Sequence, residues 1–446
     1  MCIRDSIITT MRVHILGICG TFMGGIAQIL KDSGHDVSGS DIQFYPPMSD
    51  QLKSSHIDLV QGYKVNDLPK ADLYIIGNAL SRGNESVEHI LENNLPFKSG
   101  PDILGEMLTK KNVISISGTH GKTTTSYMLC HIFLKQDRDI GYLVGGVSSS
   151  TGKSACLGSD NVFIVEADEY DSAFFDKRSK FIHYKTNTLI INNIEFDHAD
   201  IFRDLDDIKK QFHHLIKTIP GSGNIIYYGD DKNSYDVVSQ GVWSKTISIN
   251  KGDYHLDFQN RLLTIDEKEY SLKDLPLIGE HNLKNYCSAI LAANVNGISI
   301  EDSIESLLDF NGVKRRLENK GSYSGVSIYD DFAHHPTAIR MTADALSSQH
   351  SESKILGIIE LGSNTMSGGF HGDELFNAPG SLAKTIWIDH KSILGEEIDD
   401  RLVFNSIDSS LIFIKDNICD YDIILIMTNK DSSLIYNPII KHLEKI

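Results

Sequence analysis

The sequence predicts an α/β protein of three domains, and three observations carry that prediction. Short apolar strands alternate with helical repeats from residue 12 onward, as parallel sheets with crossover helices require. Two of the strands, near 12–16 and 113–117, run straight into glycine turns that open helices. The chain has 446 residues, and at about 150 residues per domain that implies three cores rather than one.

Composition narrows the function before any motif is read. With 41% hydrophobic and 23% charged residues the chain is an ordinary globular one. A net charge of −18 argues against nucleic acid as a partner, because phosphate backbones need a basic face. Small anionic ligands remain open, since a few cations can be focused in a cleft. The six cysteines are scattered without CxxC or zinc spacing, which fits a reducing, cytoplasmic setting. No apolar run approaches the roughly 18 residues of a membrane span, so no membrane partner is expected. Residues 1–10 are too polar for a signal peptide, whereas Met11 begins a clean strand pattern. They read as a non-native or disordered extension, with Met11 as the natural start.

Residues 11–108 form the first expected domain. The strand at 12–16 leads into Gly17, Gly20 and Gly24, a helix follows, and a second strand ends in Gly39-Ser40-Asp41. In a dinucleotide-binding, Rossmann-like sheet that terminal acid would hold a ribose hydroxyl. The spacing here is GxxGxxxG rather than GxGxxG, which favours a related sheet binding another nucleotide. Asn78 and Ser81 fall in the loop after a strand at 73–76, at the sheet edge where open α/β sheets place ligands.

The central domain, 109–312, carries the most specific stretch: a buried strand followed by Gly118-Thr119-His120-Gly121-Lys122-Thr123-Thr124 and a helix with an apolar face through Tyr127, Leu129, Ile132 and Phe133. The glycines let the backbone approach an anion and the helix start offers N–H groups. Lys122 adds a cation for the outer phosphates, and Thr123 puts a hydroxyl where Mg²⁺ would lie. Only two residues separate the glycines, so this is a shortened phosphate loop. The next strand delivers Glu166 at the head of an acidic burst, where a metal-holding carboxylate is needed. Another strand ends near Asp197-His198, which makes His198 a candidate for a second metal or for the transferred phosphate. Asn282 and Asn285 lie one turn apart at the start of an alanine-rich helix, suited either to an adenine edge or to capping.

Residues 313–446 form the third domain, a second Rossmann-like sheet. Arg315 and Arg316 precede a strand ending in Asp330-Asp331-Phe332-Ala333-His334-His335-Pro336, with Pro336 placed to begin a helix. A further strand leads to Gly362-Ser363-Asn364-Thr365-Met366.

Taken as an ordered set from Met11 to the C-terminal sheet, these motifs resemble the Mur ligases, three-domain ATP-dependent ligases of cell-wall precursors. The stretch Glu166 to Phe181 and the stretch Ser363 to Met366 resemble the branch that joins UDP-N-acetylmuramate to the tripeptide L-alanyl-γ-D-glutamyl-meso-diaminopimelate in peptidoglycan recycling. The resemblance implies that Gly17, Gly20 and Gly24 line the UDP-sugar site, with Ser40, Asp41, Asn78 and Ser81 contributing. It implies that Lys122 holds the β- and γ-phosphates of ATP, that Thr123 and Glu166 hold one Mg²⁺, and that His198 lies near a second. Asn282 would meet the adenine, Arg316 and Asp330 would close over the nucleotide, and Ser363, Asn364, Thr365 and Met366 would form part of the peptide pocket. The implied chemistry activates the lactyl carboxylate as an acyl phosphate, which the peptide amine attacks; His198 or His335 would assist proton removal. A monomer or weak homodimer is expected.

Two departures from the pattern bear on specificity. Gly362 stands where that branch commonly has an arginine, and Thr428-Asn429-Lys430-Asp431-Ser432-Ser433 replaces a glycine-rich segment. The competing readings are a UDP-N-acetylmuramate–L-alanine ligase and a degenerate nucleotide-binding protein that joins nothing.

Overall fold

In this computed structural model, which describes residues 10–146, 151–199, 201–363, 365–392 and 402–445, each run of strands forms its own sheet. Residues 1–9 of the expected extension and Asn364 lie outside the described residues.

The first sheet has five parallel strands in the order Asp58–Gln61, Asp36–Asp41, Arg12–Leu16, Leu73–Ile76, Phe97–Ser99. Strand order reverses on either side of Arg12–Leu16, so its carboxyl end, where Gly17 begins, is a switch point and a natural crevice. The strand Asp58–Gln61 has no fully buried residue, which is why no apolar run announces it in the sequence.

The central sheet has ten strands, with Asn112–Ser117 between Thr186–Ile191 and Val162–Glu166, all parallel there. Its far edge, Tyr254–Asp257, Leu262–Ile265 and Lys268–Ser271, is an antiparallel meander. The helix Lys122–Lys135 is buried from Thr123 through Phe133, not along a single stripe as its sequence pattern suggests. The reason is tertiary: the alanine-rich helix Glu280–Val295 packs over its outer side, and Thr125 Oγ1 donates to Asn285 Oδ1 at 3.1 Å across the contact. Burying each large apolar side chain there contributes about 2 kcal/mol.

The third sheet opens with an antiparallel hairpin, Glu318–Tyr323 with Val326–Asp331, and continues in parallel through Ile423–Met427, Ile355–Glu360, Lys384–Ile388 and Leu402–Phe404. Alternation along Val326–Asp331 sends Asp330 and Asp331 to opposite faces.

Direct contacts seat the third sheet against the central one. Thr337 Oγ1 donates to Glu195 Oε2 at 2.5 Å, and Thr365 Oγ1 donates to Asp197 Oδ1 at 3.1 Å. Gln51 Oε1 accepts from the backbone and hydroxyl of Ser154, at 3.0 and 2.9 Å, tying the first domain to the central one.

Candidate active site

At the carboxyl end of Asn112–Ser117 the backbone takes values that only glycine holds without strain, φ +130° at Gly118 and +81° at Gly121. A Cβ on Gly121 would stand 2.4 Å from Asn285 Oδ1, so the loop is also closed to larger residues by space. Lys122 Nζ donates to Gly118 O at 2.6 Å and lies 3.3 Å from Glu169 Oε2. Burial would lower the lysine, but Glu169, Asp168 and Glu166 outweigh it and hold the ammonium above its ordinary range.

Thr123 and Glu166 come together as the sequence suggests. Thr123 Oγ1 donates to Glu166 Oε1 at 2.9 Å, Glu166 Oε2 accepts from Gly145 N–H at 2.7 Å, and Arg316 Nη2 reaches over from the third domain to Thr123 Oγ1 at 3.3 Å. A hydroxyl and a carboxylate at this spacing are the oxygen donors a hard cation takes. Opposite them Glu169, 2% exposed, lies between Lys122 and His198, with His198 Nε2 at 3.3 Å. Burial favours the neutral acid, yet Lys122 and His198 prevail and hold the carboxyl at about 2. His198 is raised in turn: its desolvation is outweighed by Glu169, with Asp197 and Asp168 adding to the effect. Its backbone is left-handed, φ +58°, and Tyr170 stacks on the ring with centroids 4.2 Å apart.

Lys122, Thr123, Glu166, Asp168, Tyr170, Asp197 and His198, with Glu169 buried behind them, line a cleft of about 350 Å³ together with Thr119, His120, Thr124, Asn282, Asn285, Arg316, Asp331 and His335. That is the lower range of small-ligand sites. Asn282 is present on the wall, although its amide already donates to Ile278 O at 2.7 Å and its oxygen accepts from Asn285. Arg316 lies over the Phe332 ring at 5.2 Å. Asp330 is the correction: it is 1% exposed, accepts from Ser432 Oγ at 2.8 Å and faces into the third domain. Asp331 faces the cleft instead and accepts from Leu317 and Ala333 N–H. The sequence shows both acids side by side, and only strand phase separates them.

The histidines differ sharply. Burial pushes His334 and His281 down to about 4 and His335 down to about 3, so these imidazoles are neutral near neutrality, whereas His198 is raised above its ordinary value by Glu169.

A second hollow of about 210 Å³ adjoins the first and shares Tyr170, Asp197, His198 and His334 with it. Ser363 and Thr365 line it, whereas Met366 is 1% exposed in the third domain's core, where an apolar side chain gains more than at a wet pocket wall. Lys430 lies across Gly362: a Cβ at Gly362 would be 2.1 Å from Asn429 Oδ1 and 3.0 Å from Lys430 Cγ.

In the first domain Gly17, at φ +82°, begins the turn, and a Cβ on Gly20 would meet only Gly17 O, at an ordinary 3.6 Å. Asp41 accepts from Cys19 N–H and Ile42 N–H, both at 2.8 Å, and from Tyr63 at 3.3 Å. Asn78 and Ser81 are exposed on the loop that follows Leu73–Ile76. Gly24 and Ser40 turn inward instead: a Cβ on Gly24 would strike Met48 Sδ at 2.2 Å, and Ser40 Oγ is bonded to His14 Nε2 at 2.7 Å. Both are packing positions, one for a helix contact and one for a buried hydroxyl.

The residues missed in the sequence are Glu169, Tyr170, Glu195, Asp331 and Lys430. Glu169, Tyr170, Glu195 and Asp331 lie within four residues of a chosen one, where the lost signal is the direction of the side chain, whereas Lys430 comes from a separate segment far along the chain.

Three family models match in order: Mur ligase family, catalytic domain, over residues 12–112; Mur ligase middle domain over 116–293; and Mur ligase, glutamate ligase domain, over 315–403. The chain is 46% identical over 377 residues, 82% of each sequence, to the UDP-N-acetylmuramate–L-alanyl-γ-D-glutamyl-meso-2,6-diaminoheptandioate ligase of Escherichia coli strain K12. It is 35% identical over 345 residues, 75% of this chain and 73% of the other, to a UDP-N-acetylmuramate–L-alanine ligase of Clostridium botulinum. The crystal structure of a murein peptide ligase from Psychrobacter arcticus 273-4 superposes with a TM-score of 0.76 at 36% identity, covering 98% of this chain and 99% of that one.

Proposed function

Because the chain belongs to the Mur ligase family, we propose that it joins UDP-N-acetylmuramate to L-alanyl-γ-D-glutamyl-meso-diaminopimelate in an ATP-driven, amide-forming ligation. The observation that carries this is convergence: Lys122, Thr123 and Glu166 of the central domain meet Arg316 and His335 of the third in one cleft, and a second hollow opens beside it.

A carboxylate does not acylate an amine unaided, because oxide leaves poorly. ATP supplies the remedy, converting the lactyl carboxylate to an acyl phosphate whose leaving group is phosphate. Within this chain Gly118 to Thr124 would cradle the phosphates, Lys122 and Arg316 would neutralise charge growing on the transferred group, and Thr123 with Glu166 would hold Mg²⁺. Asn282, on the cleft wall, would border the base. His198, whose cationic form Glu169 favours, suits the phosphate side of the reaction. His335 stays neutral and can accept a hydrogen bond from the incoming amine. Gly17, Gly20, Asp41, Asn78 and Ser81 would meet the sugar nucleotide at the first domain's edge.

For the peptide, Ser363 and Thr365 would form one wall and Lys430 would supply the cation that Gly362 lacks. Lys430 has no ion pair among the described residues, and Asn429 Oδ1 beside it is buried without a hydrogen-bond partner. A carboxylate flanked by an N–H, as a peptide residue presents, would answer both. The described residues include no helix long and apolar enough to cross a membrane. We place the reaction in the cytoplasm, where ATP and sugar nucleotides are available.

Phosphate release measured with ATP, Mg²⁺ and UDP-N-acetylmuramate against a panel of amines tests the reading. Release is expected with the tripeptide and little with L-alanine. A preference for L-alanine would reassign the substrate, and ATP binding without release for every amine would remove the ligase activity.

A further inference from the structure

Where the central and third domains meet, three side chains converge that the ligation does not require as a set: His120, Glu195 and His335. His120 Nε2 lies 3.6 Å from Glu195 Oε2, His335 Nδ1 lies 3.7 Å from the same oxygen, and one ligand atom from each of the three falls within 4.8 Å of the others. Two ligands about 2.1 Å from a tetrahedral zinc stand about 3.4 Å apart, so both measured spacings are close to those of a shared ion.

The surrounding bonds orient the donors in the same sense. His335 Nε2 faces Phe196 O at 3.2 Å and must carry the proton to bond it, which leaves Nδ1 unprotonated; Nδ1 lies 3.7 Å from Glu195 Oε2 and accepts a long hydrogen bond from Thr337 N–H at 3.3 Å, which an ion would displace. Glu195 Oε2 accepts from Thr337 Oγ1 at 2.5 Å, as metal-binding carboxylates are commonly steadied. His120 Nε2 is buried and makes no hydrogen bond among the described residues. The ring centroids of His120 and His335 are 4.7 Å apart.

We propose that His120, Glu195 and His335 form a binding site for a zinc-class divalent cation, bridging the central and third domains and separate from the Mg²⁺ of the nucleotide. Two imidazoles and one carboxylate select zinc over magnesium, which takes oxygen ligands and keeps its waters. His120 belongs to the phosphate loop, while His335 caps the helix Pro336–Gln349 of the third domain. An ion held by both ties the third domain down on the loop, and it takes the His335 lone pair out of use. The bound form is therefore a closed and inhibited one.

The other triad within metal-binding distance among the described residues, Asp168, Glu169 and His198, provides the internal control. The test uses the full-length protein in excess Mg²⁺, titrated with Zn²⁺ by calorimetry and with Co²⁺ for its visible d–d absorption. We expect one equivalent bound in wild type and in His198→Ala. Glu195→Gln keeps the carboxamide oxygen for Thr337, and in it binding weakens by at least about tenfold. His335→Asn should show the same loss, and the Co²⁺ spectrum of the two-imidazole site should appear in wild type and in His198→Ala but not in His335→Asn. The proposal is overturned if Mg²⁺ prevents uptake altogether, or if uptake survives in Glu195→Gln and His335→Asn and disappears in His198→Ala. Because metal uptake is read without substrate, these outcomes are independent of which amine the enzyme uses.

Discussion

Two strands in this chain end in glycine turns, and the turns use their exposed N–H groups in opposite ways. After Arg12–Leu16 the chain turns at Gly17, and the carboxylate of Asp41, from the end of the neighbouring strand, reaches in to accept Cys19 N–H. That turn already contains an anion of its own. After Asn112–Ser117 the residue inside the turn is Lys122, while the acids Glu166 and Glu169 stand across the loop as partners for cations. The first turn can therefore offer a carboxylate to hydroxyls of a sugar nucleotide, and the second can offer positive charge to a polyphosphate. Similar strand, turn and helix topology leaves the ligand open. The sign of the one side chain placed inside the turn decides it.

Removing that sign should produce the largest effect. Lys122→Ala is expected to lose about 3–4 kcal/mol of transition-state stabilisation, roughly a hundred- to a thousandfold in kcat/KM, as for one preorganised charge partner. Steady-state phosphate release measures it, and near-normal turnover would show that the second turn does not work through its lysine.

Next in size is the acid behind the lysine. Glu169→Gln leaves a buried ammonium short of its partner and should cost about 3 kcal/mol of stability in urea unfolding. It should also change how stability depends on pH. Glu169 is held at about 2 in the folded protein against an ordinary 4.5, so its contribution is present above about pH 4.5 and is lost as pH falls toward 2. His198 is raised above its ordinary 6.5, so its contribution is complete below about pH 6.5 and is lost as pH rises through the folded value. The pair is strongest between those limits. Both slopes should flatten in Glu169→Gln, and unchanged slopes would mean that Lys122 and His198 are held by other acids.

The same contrast explains what was legible in the sequence. Gly118 to Thr124 could be placed because a strand followed by a glycine turn fixes the backbone within a few residues, and Glu166 and His198 because each stands at or beyond the carboxyl end of a strand in the same sheet. Arg316 was legible by order in the chain, and the structure brings it to Thr123. Asp330 was not, because adjacent strand residues point opposite ways and nothing local says which faces the cleft. Glu169 lies inside the acidic burst that Glu166 heads, and its partners, Lys122 and His198, are 47 residues before it and 29 after it in the chain. Met366 and Gly24 look like loop residues near ligands, yet each is fixed by packing from elements far away in sequence, Met366 in the third domain's core and Gly24 under Met48. In the first domain the strand Asp58–Gln61 was missed because half-exposed edge strands lack an apolar signature.

The smallest of the expected effects probes the first turn alone. Asp41 gathers Cys19 N–H, Ile42 N–H and the Tyr63 hydroxyl, and burial together with that carboxylate raises the Tyr63 phenol well above its ordinary value, so Tyr63 remains a donor at any working pH. Asp41→Ala frees all three donors at the mouth of the proposed UDP-sugar site without touching the central domain. The KM for UDP-N-acetylmuramate should rise about tenfold, the scale of one or two charge-assisted hydrogen bonds, while the KM for ATP stays within about twofold. Varying each substrate in turn separates the two. Equal rises in both would mean that the turns act as one site through the contact of Gln51 with Ser154, and the opposition drawn between them would then describe their side chains but not their work.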